Sequence, residues 1–352
     1  MKRDPAVDIA RGLLVLLMVW GHTMQFFADT AIFPLAQTLI DAINVTVFPT
    51  FVFCFGCTTF LSYLQRPYRR ALPGLLCTML RAYAAFVVSG VGYRVLREGK
   101  ALSFATVRRV ALLGDIPGWS EFLIAFALYA LLTAVAFGAL RRLAERAWLA
   151  ALAGGVCLLC TLIPYDRVGV TRLALIIGGT QYAFFPIVPY MPYFLAGLVY
   201  AAGGRRVRLA MLPLAAAATA LGCACWALRG GMPSRFPPDA AWVALSALPV
   251  CAVMLLSRAL CLLPWAMESL RAAIAHFGTR SLYYLLASNL SIFAFAGRGI
   301  VPQYAQKALP PFNLTVQSPG GALGWAAALL LTLWFVSRLA GRGKPAAASN
   351  KE

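Results

Sequence analysis

Apolar positions in this chain come in runs of about 20 residues, separated by short polar breaks that carry most of the cations. At 1.5 Å of rise per residue, such a run matches the hydrocarbon thickness of a bilayer. The pattern predicts ten spans, at 6–28, 41–64, 72–96, 119–140, 147–164, 182–203, 207–228, 239–263, 280–297 and 320–340. The semi-polar stretch 170–181 reads as re-entrant or interfacial. Arg94, Arg97, Lys100, Arg108 and Arg109 crowd one break, which reads as an amphipathic surface helix or as a miscount of one span nearby. The fold class is therefore an all-α polytopic integral membrane helical bundle of about ten transmembrane helices. No period of about 20–50 residues marks a repeat architecture. No matched pair of broken helices marks two transporter halves. Residues 1–342 read as a single transmembrane domain and 343–352 as a disordered cytoplasmic tail.

Composition agrees with this class. Of 352 residues, 61% are hydrophobic and 12% charged, about half the charged share of a soluble domain. The mean hydropathy is +0.77. A net charge of +19 could suggest nucleic acid, but the cations sit in short clusters between apolar runs, the pattern that orients a membrane protein. No nucleic-acid partner is expected. Placing both termini in the cytoplasm puts the larger share of Lys and Arg there, in agreement with the positive-inside rule. The first apolar run is too long for a signal peptide and lacks a small-residue cleavage site, so it reads as the first span. All nine cysteines lie within apolar runs. The Cys54/Cys57 and Cys157/Cys160 pairs have no His, Asp or Glu nearby to complete a metal site, so they read as packing residues and no metal is expected.

Candidate chemistry starts in the first span. The chain has two histidines, and one of them, His22, closes the stretch RGLLVLLMVWGH. Ten residues separate it from Arg11, which puts both side chains on one helix face, roughly 16 Å apart along the axis. Asp8, three residues before Arg11, shares that face and can pair with it. Ionisable groups within a span usually face the bundle interior or a wet cavity. The plainer reading has Arg11 reaching the headgroups and His22 marking the far interface. Gly12 and Gly21 on the same helix permit close approach of neighbours. A neutral imidazole at depth can act as a general base, and an arginine at the cytoplasmic mouth can hold a phosphate or carboxylate. Together they suit acyl transfer from a coenzyme A thioester to a hydroxyl or amine.

The segment RDPAVDIARGLLVLLMVWGH resembles the opening of the acyltransferase-3 family and its wider transmembrane relatives, which include glucan-succinylating and heparan-glucosaminide-acetylating branches. Arg3, Asp8, Arg11, Gly12 and His22 carry that likeness. FPTFVFCFGCTTFLSY (48–63) is similar to the family's second span. RPYRRALPGLL resembles its basic loop, with Arg66, Arg69, Arg70 and Pro73 on the pattern. GWSEFLIAFALY, FPIVPYMPYFLAGLVYA and FGTRSLYYLLASNLSIF resemble later spans. One departure is clear: the ninth-span motif ends in a His in many members, and here that region reads Leu286, Ala287, Ser288, Asn289. This chain must do without that His or use Asn289.

The resemblance implies an acyl-CoA-dependent membrane O-acyltransferase in the plasma (bacterial inner) membrane. The donor is acetyl-CoA, with succinyl-CoA as the alternative. The acceptor is a hydroxyl of a cell-surface or periplasmic glycan or glycolipid. His22 is the base or a transient acyl carrier, and Arg11, oriented by Asp8, holds the donor near its thioester. Arg66, Arg69, Arg70, Arg81, Arg280 and Ser281 are candidates for binding coenzyme A, each with a plain role as a topological or interfacial residue beside it. Glu121, Trp119 and Asn289 are candidates for the acceptor side, where an indole and a carboxylate suit a sugar. His276 reads as structural. Besides the lipid bilayer and the acceptor, a second copy or glycan-assembly partners are expected. The rival readings are a proton-coupled transporter or flippase of an anionic solute, and an inactive family member assisting glycan export.

Overall fold

The computed structural model describes residues 4–28, 30–179, 184–264, 267–296 and 318–342; the tail 343–352 lies outside the described residues. These are mostly helical, with a single isolated bridge, Arg235 to Pro238, and no named strand among them. The helices are α1 (Pro5–Phe27), α2 (Pro34–Thr59), α3 (Tyr68–Gly92), α4 (Phe104–Ala111), α5 (Glu121–Val135), α6 (Phe137–Glu145), α7 (Ala147–Leu158) and α8 (Thr171–Ile177). They continue as α9 (Met191–Ala202), α10 (Arg205–Arg229), α11 (Ala240–Leu245), α12 (Ala247–Cys261), α13 (Glu268–Thr279), α14 (Ser281–Ala296) and α15 (Pro319–Arg342). A π-helical turn extends α2 to Leu64 and another extends α3 to Arg97.

Each predicted span meets an apolar helix, but they are of unequal kinds. Six helices among the described residues are long and apolar enough to cross a membrane. A seventh span would be the pair α5 and α6, bent by 92° at Ala136. The remaining predicted spans, at 147–164, 182–203 and 280–297, are shorter apolar helices: Ala147–Leu162, Met191–Ala202 and Ser281–Ala296. The 12 residues of α9 rise only about 18 Å, short of a bilayer core of about 30 Å. The reason is local. Pro186, Pro189 and Pro192 deny the helix its backbone donors, so it begins only at Met191. The non-helical run before it is held by protein: the Ile187 amide donates to Leu175 O (3.1 Å), the Val188 amide to Ile176 O (2.9 Å), and the buried Tyr129 hydroxyl to Ile187 O (2.8 Å). Irregular backbone at membrane depth is tolerated where protein satisfies it in this way.

The basic break after α3 does form a short amphipathic helix. Ser103 caps α4 by accepting from the Thr106 amide at 3.2 Å, Val110 points inward, and Arg108 and Arg109 are exposed. Arg94 is held by both oxygens of Asp115, at 2.6 and 2.9 Å, and also by Glu98. The stretch 170–181 contains the short α8.

The first span begins where its sequence says it should. Pro5 occupies the first turn, where a missing N–H costs nothing, and Asp4 accepts from the Ala6 amide at 3.0 Å. The other Asp4 oxygen lies 3.2 Å from Arg258 Nη2 on α12. We expect Asp4→Ala to lower stability by about 1 kcal/mol, read as a small fall in Tm in detergent; no change would mean that lipid or water replaces the cap.

Glycines set the closest crossings. A Cβ on Gly12 would collide with the carbonyl oxygen of Ile274, and one on Gly278 with that of Asp8, so α1 and α13 meet backbone to backbone in antiparallel order. Gly56 and Gly197 do the same for α2 and α9, against the Phe194 and Phe53 carbonyls. Beside the α2–α9 crossing lies an aromatic core of Phe48, Phe55, Phe126, Tyr129, Tyr190 and Phe194, with Tyr129 stacked on Phe194 at 4.9 Å. On the periphery α10 turns Leu214, Leu221 and Leu228 outward, as a lipid-facing helix does.

Candidate active site

The face predicted on α1 points inward, and α14 meets it at two depths. Arg11 Nη2 donates to Ser281 Oγ at 2.5 Å, and His22 Nδ1 lies 2.9 Å from Asn289 Oδ1. Both numbers rise together, so the two helices run parallel. Asp8 shares this face and is buried, as is Ser281.

The upper station is built around His22. Asn289, 1% exposed, donates from Nδ2 to the Trp119 carbonyl oxygen at 3.0 Å. The Trp119 ring stands edge-on to the imidazole with centroids 5.1 Å apart, and Phe26, one turn beyond His22, packs on the indole at 4.5 Å. The backbone of Trp119 is left-handed, with φ at +71°, a genuine outlier for a bulky side chain. Two residues on, Glu121 starts α5, is 4% exposed, and its Oε1 has no hydrogen-bond partner among the described residues. Arg97 closes this end of the bundle by donating to Ala296 O at 2.7 Å, with its guanidinium 5.7 Å from the Phe26 ring.

His22 also lines a cavity of about 50 Å³, whose other walls include Gln25, Asn44, Phe48, Phe122, Phe185 and Arg235. Arg235 comes from the loop between α10 and α11. Its guanidinium stacks against Phe236 (4.2 Å) and Phe185 (5.8 Å) and has no carboxylate within ion-pair distance among the described residues. Burial pushes its pKa down to about 10, against the upward pull of Tyr190, Asp41 and Glu121. It still carries its charge at neutral pH.

The lower station gathers fewer of the predicted donor-side residues. Arg280 donates to the Ser337 carbonyl on α15 at 2.9 Å. The Ser337 hydroxyl lies 3.0 Å from His276 Nε2 and 3.1 Å from the Tyr284 hydroxyl. Burial, then the charges of Arg280 and Arg338, hold the His276 pKa below its ordinary value. This cluster ties α13, α14 and α15 together, in keeping with a structural His276. Arg66 is half-buried at the turn between α2 and α3, and Arg69 and Arg70 are exposed in the first turn of α3. Arg81 departs from expectation. It stands exposed on α3 rather than facing a cavity, because the buried face of that helix is set by Leu75, Ala82, Ala85, Phe86 and Ser89.

Three polar lining residues, Gln25, Asn44 and Arg235, were not singled out as site residues by the sequence pattern. Gln25 had a signal, since it follows His22 by three residues and so shares its face. Asn44 and Arg235 had none, because only the tertiary fold carries them to the cavity.

The structure is thus an all-α bundle with an arginine and an imidazole on one inward helix face. The family described as heparan-alpha-glucosaminide N-acetyltransferase, catalytic, matches residues 3–224 of this chain. The chain belongs to that family. The broader likeness to acyltransferase-3 is thereby narrowed to its acetyltransferase relatives. The matched stretch takes in Asp8, Arg11, His22, Trp119 and Glu121, and leaves out Arg235, Ser281 and Asn289. No curated protein and no solved structure matches the chain.

Proposed function

We propose that this protein is a membrane acetyltransferase that moves an acetyl group from acetyl-CoA on the cytoplasmic side to an amino group of a glycan or glycolipid on the opposite side. The observation that carries the reading is the placement of His22. It sits on the wall of a cavity, eleven residues deeper than Arg11 and on the same face. Arg11 is the anchor for the donor near the cytoplasmic mouth, and Arg66, Arg69 and Arg70 supply further positive charge for its phosphates. The flexible arm of coenzyme A carries the thioester inward. His22 takes the proton from the acceptor nitrogen, the nitrogen lone pair forms the new bond to the thioester carbon, and the carbon–sulfur bond breaks. The thiolate leaves with the electron pair and is protonated to free coenzyme A.

On the acceptor side, Trp119 offers an aromatic face to a sugar ring. The Glu121 carboxyl supplies an acceptor for an ammonium or hydroxyl, and Arg235 a fixed cation for an acidic substituent of the same glycan. The amine is preferred over the hydroxyl because the family's name specifies N-acetylation. The plasma (bacterial inner) membrane remains the proposed location, and a second copy or glycan-assembly proteins remain proposed partners.

The test is label transfer from radiolabelled acetyl-CoA by purified protein in lipid nanodiscs. Two acceptor oligosaccharides are compared, one ending in glucosamine and one in N-acetylglucosamine. Transfer to the first alone supports N-acetylation. Transfer to both moves the acceptor atom to a hydroxyl. Absence of both transfer and coenzyme A release would discard the enzyme reading in favour of transport of an anionic solute. In the same assay Arg235→Gln is expected to raise KM for an acidic acceptor about tenfold, the weight of one charge-assisted hydrogen bond, with little change for a neutral one.

A further inference from the structure

The His22 imidazole has two nitrogens, and the one that already carries hydrogen cannot take another. The contacts around it settle which is which. The last partner in the chain is the Trp119 backbone carbonyl, which can only accept. Asn289 must therefore turn its amide nitrogen toward Trp119, at 3.0 Å, and its amide oxygen toward His22, at 2.9 Å. The opposite amide orientation would set two oxygens against each other with no hydrogen between them. An amide oxygen facing Nδ1 requires Nδ1 to be the donor, so the lone pair is left on Nε2.

We infer that Asn289 and the Trp119 carbonyl form a positioning device that holds His22 in its Nδ1–H form, leaving Nε2 as the nitrogen that receives the proton from the acceptor. The inference rests on the reading of His22 as the catalytic base. It assigns to Asn289 a role other than acceptor binding, and it answers the missing ninth-span histidine: the position reaches the chemistry through His22.

The backbone of Trp119 is the second half of the device. A tryptophan in the left-handed region persists only where its surroundings over-determine it. Here they do. The ring packs against both His22 and Phe26. The next residue, Ser120, is buried and donates to Ser89 Oγ at 2.9 Å. Glu121 begins α5. One strained residue thus packs an edge against the imidazole and also aims a carbonyl at the amide that orients it. The sequon Asn289-Leu290-Ser291 is closed to glycosylation by the same burial.

The chain's two histidines permit a direct test. In a His276→Gln background a single imidazole remains, and ¹⁵N-histidine labelling in nanodiscs reports its two nitrogens separately. The expected spectrum has a protonated, pyrrole-type Nδ1 and an unprotonated, pyridine-type Nε2. Asn289→Leu is expected to release the ring toward the Nε2–H form. Turnover number should fall about tenfold or more, with KM for acetyl-CoA unchanged. Equilibrium binding of acetyl-CoA and the size-exclusion profile, both expected unchanged in Asn289→Leu, separate loss of orientation from misfolding. A pyrrole-type Nε2 in the unmodified site, or a spectrum indifferent to Asn289→Leu, would overturn the inference. The expected spectra combined with full activity of His22→Gln would leave the device standing and remove the catalytic reading beneath it.

Discussion

Substituting glutamine for His22 is expected to abolish acetyl transfer while leaving the protein folded and able to bind acetyl-CoA. Glutamine approximates the size of imidazole and can still meet Asn289, but its amide takes no proton near neutral pH. General-base catalysis contributes about 10²–10⁴ in rate, and that is the expected loss in turnover number. Arg11, the proposed donor anchor, lies roughly 16 Å away along α1 and donates to Ser281 rather than to the upper station, so donor affinity should be retained. Single-turnover kinetics with equilibrium binding of acetyl-CoA check both halves. An unchanged turnover number would take His22 out of the chemistry.

The second large effect is structural. Gly12→Val is expected to prevent recovery of monodisperse protein. A Cβ at this position would run into the Ile274 carbonyl oxygen, and the matching glycine, Gly278, already rests on the carbonyl of Asp8. Backbone cannot rotate away as a side chain can, so relief requires α1 and α13 to separate. Overpacking of this kind costs about 1–3 kcal/mol or more. Separation would also displace Ser281, which begins α14 just after α13 ends and receives the hydrogen bond from Arg11. Fluorescence-detected size exclusion and Tm measure the outcome. A variant with wild-type Tm would show that the crossing has slack.

Helical periodicity carries information along one element, and that is what the sequence made legible. The shared inward face of Asp8, Arg11 and His22 follows from spacing alone, and the glycine after Arg11 signals a close neighbour without naming it. The ten apolar runs each became helix, yet run length could not show that three would be short. The prolines at 186, 189 and 192 explain α9 once its start is known. Helix α13 stayed hidden because its apolar run is brief and it contains Arg271 and His276. Arg235 has no local pattern, and Asn289 was marked only by the departure of its motif. Their place beside His22 is set by contacts between residues far apart in the chain. Arg81 shows the converse, since its position within a span suggested a buried cavity and the packing of α3 turned it outward.

The partners of the first helix have a consequence for synthesis. Ser281 stands 270 residues after Arg11, and Asn289 stands 267 after His22. A ribosome delivers the chain from its N-terminus, so the arginine and the imidazole emerge first and α14 emerges late. Through most of translation both groups must be borne in or beside the bilayer without the helix that finally receives them. The candidate site is therefore among the last parts of the molecule to be assembled. A nascent chain stalled at the end of α10 would contain the whole stretch by which its family is recognised, and would lack the helix that completes both stations.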